Sequence, residues 1–227
     1  EATANPNPEV VAVLVNAGAD VHARTTGRFG GSRRGMTPLH YAAAGARDSA
    51  TIALLLRAGA DANARADGGQ TPLLEAAAHN GNPEAVAALL EAGADLHARG
   101  AGGRTALHLA AAGNSSPAVL QVLLDGGADL SARTRSGSTP LHEAASGNLN
   151  RPVVELLVTV GADLNARDDL GRTSLHLAAQ SNPAVFPVLL RLGADLAALD
   201  DDGRTPLDYA RENRSLQGLD VVRRTLR

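Results

Sequence analysis

Two short words recur in fixed phase along this chain of 227 residues, and they constrain its fold more than any other feature. Gly-Ala-Asp begins at Gly18, Gly59, Gly93, Gly127, Gly161 and Gly193, with spacings of 41, 34, 34, 34 and 32. A second word begins at Thr37, Thr71, Thr105, Thr139, Thr173 and Thr205, spaced 34 four times and then 32. It reads Thr-Pro-Leu-His at Thr37 and Thr139, with one change in each other copy (Leu74, Ala106, Ser174 and Asp208). Two words that keep phase through six copies identify a tandem array, whose units bury their apolar faces by stacking on one another.

Each unit reads as two helices and a turn. The threonine is a helix cap, and the proline after it suits the first helical position, where no amide partner is lost. An alanine-rich helix such as Leu73 to Ala78 follows, small enough for neighbours to approach closely. Asn80-Gly81-Asn82-Pro83 then breaks the chain and restarts it, with Asn82 as cap and Pro83 as opener. Asn7-Pro8, Ser116-Pro117 and Asn182-Pro183 repeat the device. The second helix carries an apolar stripe at i, i+3 and i+4: Val11/Leu14/Val15, Ile52/Leu55/Leu56, Val86/Leu89/Leu90, Leu120/Leu123/Leu124, Val154/Leu157/Val158 and Phe186/Leu189/Leu190. The glycine of Gly-Ala-Asp falls where a left-handed residue ends a helix. The polar residues after it must return the chain to the next unit, and a projecting hairpin does this.

Composition agrees. Hydrophobic residues make up 44% and aromatics 2%, so the core is built from Ala, Leu and Val, which suits thin, closely stacked helices. No apolar run reaches the roughly 20 residues of a membrane span. Without cysteine there are no disulfides, cysteine nucleophiles or thiolate metal sites. All 21 basic residues are arginine, which excludes a lysine Schiff base or a P-loop lysine and points to a GC-rich, bacterial source. A formal charge of −3 makes no general case for nucleic acid.

The two words resemble the signatures of the ankyrin repeat, and the resemblance covers nearly the whole chain. It implies an all-α repeat fold, a solenoid of helix-turn-helix units with β-hairpin or loop tips. It also implies a concave face of tips and first helices that binds other proteins. One domain is expected over 1–227, with an incomplete first unit at 1–36 and units starting near 37, 71, 105, 139 and 173. A C-terminal cap at 205–227 carries polar residues where another unit would stack. The incomplete first unit leads us to expect further sequence before Glu1. Two irregularities concern second helices: Arg151-Pro152 stands one residue out of register, and Pro187 lies inside the sixth, so that helix should start late or bend.

Residues with chemical potential recur at repeat positions. His40, His108, His142 and His176 share one of them. Stacked helices lie roughly 8–10 Å apart, too far for a shared zinc ion whose ligands stand at about 2.0–2.3 Å. Each histidine is therefore expected to hydrogen-bond within its own turn. Asp20, Asp61, Asp95, Asp129, Asp163 and Asp195 are followed four residues later by Arg24, Arg65, Arg99, Arg133 and Arg167 in five units, and pairing within each loop is expected. No nucleophile elbow, phosphate loop or isolated carboxylate pair suggests catalysis, and no cofactor or metal is expected.

One feature breaks the rhythm. Gly18 to Thr37 spans 19 residues where every other linker spans 12, so seven residues are inserted within a finger at 25–36. The finger holds Arg28, Phe29, Arg33, Arg34 and Met36, with Arg24 just before it, and arginines and aromatics commonly anchor interfaces. The expected function is a non-enzymatic, monomeric scaffold that binds a protein partner. Its contacts would come from Arg24, Arg28, Phe29, Arg33, Arg34, Met36 and Tyr41, and along the repeat face from His79, Arg104, Arg135, Leu170 and Arg172. The alternatives are a regulatory or targeting domain of a larger protein, or weak binding of nucleic acid or another anion by the finger arginines. A cytoplasmic location is expected, with the periplasm or secretion as an effector as alternatives.

Overall fold

Threonine and proline start the first helix of a unit by a mechanism visible at Thr71. Its backbone is extended (φ −116°, ψ 162°), its hydroxyl accepts from the Leu74 amide, and Pro72 takes the first turn. The computed structural model describes residues 7–26, 34–45, 49–114, 116–147 and 151–218. Among these, twelve α-helices follow in order: α1 (Pro8–Asn16), α2 (Pro38–Gly45), α3 (Ala50–Arg57), α4 (Pro72–His79), α5 (Pro83–Glu91), α6 (Ala106–Gly113), α7 (Pro117–Asp125), α8 (Pro140–Gly147), α9 (Arg151–Thr159), α10 (Ser174–Ser181), α11 (Phe186–Arg191) and α12 (Pro206–Glu212). Even-numbered helices are the first of their unit and odd-numbered helices the second.

The second helices bear out the asparagine-proline device at α1 and α5, where Asn7 and Asn82 accept from Glu9 and Glu84. Asn182-Pro183 does not start a helix; α11 begins at Phe186, with Pro187 in its first turn. The reason is Pro187 itself, which has no amide to give to a carbonyl four residues back and would clash there. Pro152 causes no shift, because α9 opens at Arg151 and carries the proline in its first turn.

The stripes pack as their spacing requires. Ile52, Leu55, Val86, Leu89, Leu120, Leu123, Val154, Leu157, Phe186 and Leu189 are all at most 2% exposed. The Leu and two Ala of five first helices, α2, α4, α6, α8 and α10, are buried as tightly: Leu39/Ala42/Ala43, Leu73/Ala76/Ala77, Leu107/Ala110/Ala111, Leu141/Ala144/Ala145 and Leu175/Ala178/Ala179. The six Gly-Ala-Asp glycines all have positive φ, from 81° to 104°. This turn brings the next amide back to the carbonyl five residues earlier, as in Ala94 N–H to Leu89 O at 3.0 Å.

No strand occurs among the described residues, so the tips are loops rather than β-ladders. The tips are narrow turns closed by backbone bonds such as Ala66 N–H to Gln70 O (2.8 Å) with Gly69 N–H to Ala66 O (3.1 Å), and Asp168 N–H to Arg172 O (2.9 Å) with Gly171 N–H to Asp168 O (3.0 Å).

The chain divides into two compact units, Glu1–Ala110 with Ala118–Asp129, and Ala111–Pro117 with Leu130–Arg227. In the first, α2 packs on α4, and α3 lies beside α1 and α5. In the second, α10 packs between α8 and α12, and α9 lies beside α11. A device not anticipated from sequence ties successive first helices. The Asn80 amide donates to Ala43 O (2.9 Å) and the Asn213 amide to Ala179 O (2.9 Å), satisfying carbonyls at helix ends that have no intrahelical donor.

Candidate interaction surface

The repeated histidines are committed to architecture. At His40 the Thr37 amide donates to Nδ1 at 3.1 Å, so Nδ1 is the acceptor and Nε2 carries the proton. Nε2 then donates to Gln70 O (3.0 Å) in the next unit. His142 and His176 repeat this with Arg172 O and Arg204 O. The bond within the turn was expected; the bond to a carbonyl 28 or 30 residues on was not. Burial holds all three imidazoles below their usual pKa, in keeping with the neutral tautomer. Asp208 takes the histidine position in the last unit and accepts from the Thr205 amide (2.8 Å) and hydroxyl (2.7 Å).

The expected Asp–Arg pairing within a loop is replaced by other bonds in the Asp20/Arg24 and Asp163/Arg167 units. Asp20, Asp61, Asp95, Asp163 and Asp195 each turn Oδ1 back to the amide two residues on. The arginines reach carbonyls instead. Arg24 Nη1 donates to Gly35 O (3.0 Å) and Arg65 O (2.6 Å), and Arg133 Nη1 to Gly137 O (3.0 Å) and Arg167 O (2.6 Å). Arg167 reaches Leu199 O and Asp201. A guanidinium can serve two carbonyls at once, so Arg24 and Arg133 each clamp their own loop to the next.

The finger closes on the same bonds as the ordinary loops. Thr25 N–H donates to Met36 O (3.0 Å), matching Ala66 to Gln70, and Asp67 N–H donates to Arg34 O (3.0 Å), matching Asp169 to Ser136. Its ends therefore hold regular repeat positions, and the seven inserted residues are 27–33. Arg28, Phe29 and Arg33 fall within that stretch, outside the described residues. Arg34 is exposed beside the next loop, and Met36 is only 2% exposed, part of the core. An inward-facing Met36 is unavailable for surface contact in this conformation.

Arg24, Met36 and Tyr41 come together around a cavity of about 280 Å³ in the first compact unit, walled chiefly by Val11, Leu14, Val15, Val21 and Leu55. Val10, Val13 and Leu14 on α1 are 48%, 67% and 40% exposed. The stripe spacing marked Leu14 as core, and its exposure corrects that expectation. His79 is exposed near Glu75, its Nε2 3.8 Å from the carboxylate, and Arg104 is half-buried.

In the second compact unit the loop tips adjoin. Asp169 N–H donates to Ser136 O and Asp201 N–H to Leu170 O, both at 3.1 Å. Arg135 is exposed at one tip, and Leu170 stands 58% exposed at the next. Arg172 turns inward, donating from Nε (3.0 Å) and Nη2 (2.8 Å) to Asp168 Oδ2. Burial opposes ionisation of Asp168, yet the bonds from Arg172 and the Leu170 amide hold its pKa low. Tyr209 donates to Asp200 (2.7 Å) beneath the Arg204 guanidinium, 4.0 Å from the ring centre. Leu199, 51% exposed where other units carry the clamp arginine, was missed; the signal was that substitution.

Units of this size, with these words, caps and inter-unit bonds, define a class of stacked-repeat protein. The sequence matches the family described as ankyrin repeats (3 copies) over residues 1–100, 76–168 and 147–224. The chain belongs to the ankyrin repeat family, whose members generally mediate protein–protein interactions and are typically non-enzymatic. No curated protein matches it. Among the described residues no helix is long and apolar enough to cross a membrane.

Proposed function

We propose that the chain is a non-enzymatic, monomeric scaffold that binds a protein partner through its loop tips, first helices and finger. The observation that carries this reading is the commitment of the repeated side chains. His40, His142, His176, Arg24, Arg133 and Arg167 all spend hydrogen bonds on neighbouring backbone. Recognition is left to side chains that vary between units: Tyr41, His79, Arg104, Arg135 and Leu170, the less exposed Arg172, and the finger residues Arg28, Phe29, Arg33 and Arg34. Leu170 is a large apolar side chain exposed at one loop tip, and Arg135, exposed at another, is of a residue type that often anchors interfaces. Arg24, serving two carbonyls, weakens the nucleic-acid alternative, as does the net charge of −3.

Affinity capture with the wild-type chain, Leu170→Asp, Arg135→Glu and a chain lacking 27–33 tests the reading. A partner retained by wild type should be lost or weakened at least ten-fold by one or more variants. Equal retention by all four chains would rule out these contacts. A salt-dependent gain of DNA or RNA binding would favour the alternative instead.

A further inference from the structure

We propose that Asn80 is a gated self-modification site: the backbone nitrogen of Gly81 converts its side-chain amide to a carboxylate whenever the junction of α2, α4 and α5 opens. Asn80-Gly81 is the single Asn-Gly step in the chain. Nothing in the fold demands glycine at 81. Its φ lies outside the left-handed region, and a Cβ there would meet no atom within 4 Å. What the missing side chain does is leave the Gly81 nitrogen unshielded, on an exposed residue. Such a nitrogen attacks the neighbouring Asn80 Cγ and closes a five-membered succinimide. The N–Cγ bond forms, the Cγ–Nδ2 bond breaks, and ammonia leaves with the Gly81 proton. Water then opens the ring at either carbonyl, giving aspartate or isoaspartate.

The folded junction holds this reaction off. Asn80 is 6% exposed; its Nδ2 donates to Ala43 O and its Oδ1 accepts from the Asn82 amide, both at 2.9 Å. Its ψ of 117° turns the Gly81 nitrogen away from the side chain. Ring closure needs Cγ and that nitrogen on one side of the Cα–C bond, so ψ must rotate and both side-chain bonds must break. Conversion is therefore confined to chains whose junction has opened locally. It is also one-way. A carboxylate has no donor for Ala43 O and sets negative charge beside that carbonyl, so a converted chain cannot rebuild the same link. Other asparagines in this role lack the chemical half of the site. Asn213 bonds Ala179 O but is followed by Arg214, and Asn182 is followed by Pro183, which has no N–H.

Peptide mapping by mass spectrometry, on the full chain incubated at pH 7.5, follows the conversion residue by residue. In guanidinium chloride, Asn80 should convert at least ten-fold faster than in the folded chain and at least ten-fold faster than Asn213. Gly81→Ala should keep the wild-type denaturation midpoint, since the space for its methyl is open, and should slow conversion of the denatured chain at least ten-fold. Among folded chains, Leu89→Ala, which removes a fully buried contact of α5, should speed conversion at Asn80. Leu157→Ala, in the other compact unit, should leave the rate unchanged. Wild type in urea below its unfolding transition gives the same reading without a variant, as a rate that rises before the global transition. Equal rates in folded and denatured chains, faster conversion at another asparagine, or undiminished conversion in Gly81→Ala would overturn the proposal. A rate that rises only with global unfolding would overturn the local gate.

Discussion

The buried histidines give the chain a pH dependence. An unfolded imidazole titrates near 6.5, and burial holds His40, His142 and His176 lower in the fold. Between those values the unfolded chain binds more protons, so stability rises with pH in that interval. The contribution is complete above about pH 6.5 and is lost as pH falls toward the folded pKa values. A second loss belongs to carboxylates. The Thr205 bonds hold Asp208 below 3.8; Asp168 and Asp200 are held below it by hydrogen bonds despite burial. Their contribution is present above that value and disappears as pH falls through the folded ones. Urea midpoints at pH 7.5 and 5.5 should therefore differ, with the lower midpoint at pH 5.5; equal midpoints would contradict the neutral-histidine assignment. Ser174 carries a different signal. It is 1% exposed, its hydroxyl has no partner, and it stands where four other units have proline. Thr173 before it is extended (φ −89°, ψ 168°), the conformation a following proline requires. Ser174→Pro should raise stability by about 0.4–1 kcal/mol, measured as a higher denaturation midpoint.

Helix ends are held by side chains from the neighbouring unit. Asn80 is 6% exposed, donates to Ala43 O near the end of α2 and accepts from the Asn82 amide before α5. Asn80→Ala leaves both backbone groups without these bonds and should cost about 1–3 kcal/mol. Amide exchange should quicken at the end of α2 and the start of α5. Asn213→Ala, in a more open position, should cost less. The late start of α11 shows how far local chemistry extends: Asn182-Pro183 has the composition of a start signal, and Pro187 overrules it four residues later.

Across the array, stability should follow a sum of unit and neighbour-interface contributions. Leu157 of α9 is fully buried, and Leu157→Ala should cost about 2–5 kcal/mol. Hydrogen exchange should quicken most in α8 to α11, while α3 and α5 in the other compact unit retain their protection. A uniform loss through all twelve helices would show stronger coupling than nearest-neighbour stacking allows. Exposed ion pairs such as Arg191–Glu155 and Arg167–Asp201 should contribute little to either unit.

The helix pairs, the threonine caps, the asparagine caps of α1 and α5, the terminal glycines and the buried stripes were readable before any coordinates. Each depends on side chains a few residues apart, and local spacing sets those contacts. The second partner of His40 is 30 residues away, the clamp of Arg24 reaches 41 residues, and Asn80 bonds a carbonyl 37 residues back. Those pairings exist only once units stack. The candidate surface divided in the same way: Leu170 and Arg135 were expected on the repeat face from the family resemblance, and both are exposed. The inward turn of Met36 and the open flank of α1 required the packed neighbours, because burial is a property of what surrounds a side chain.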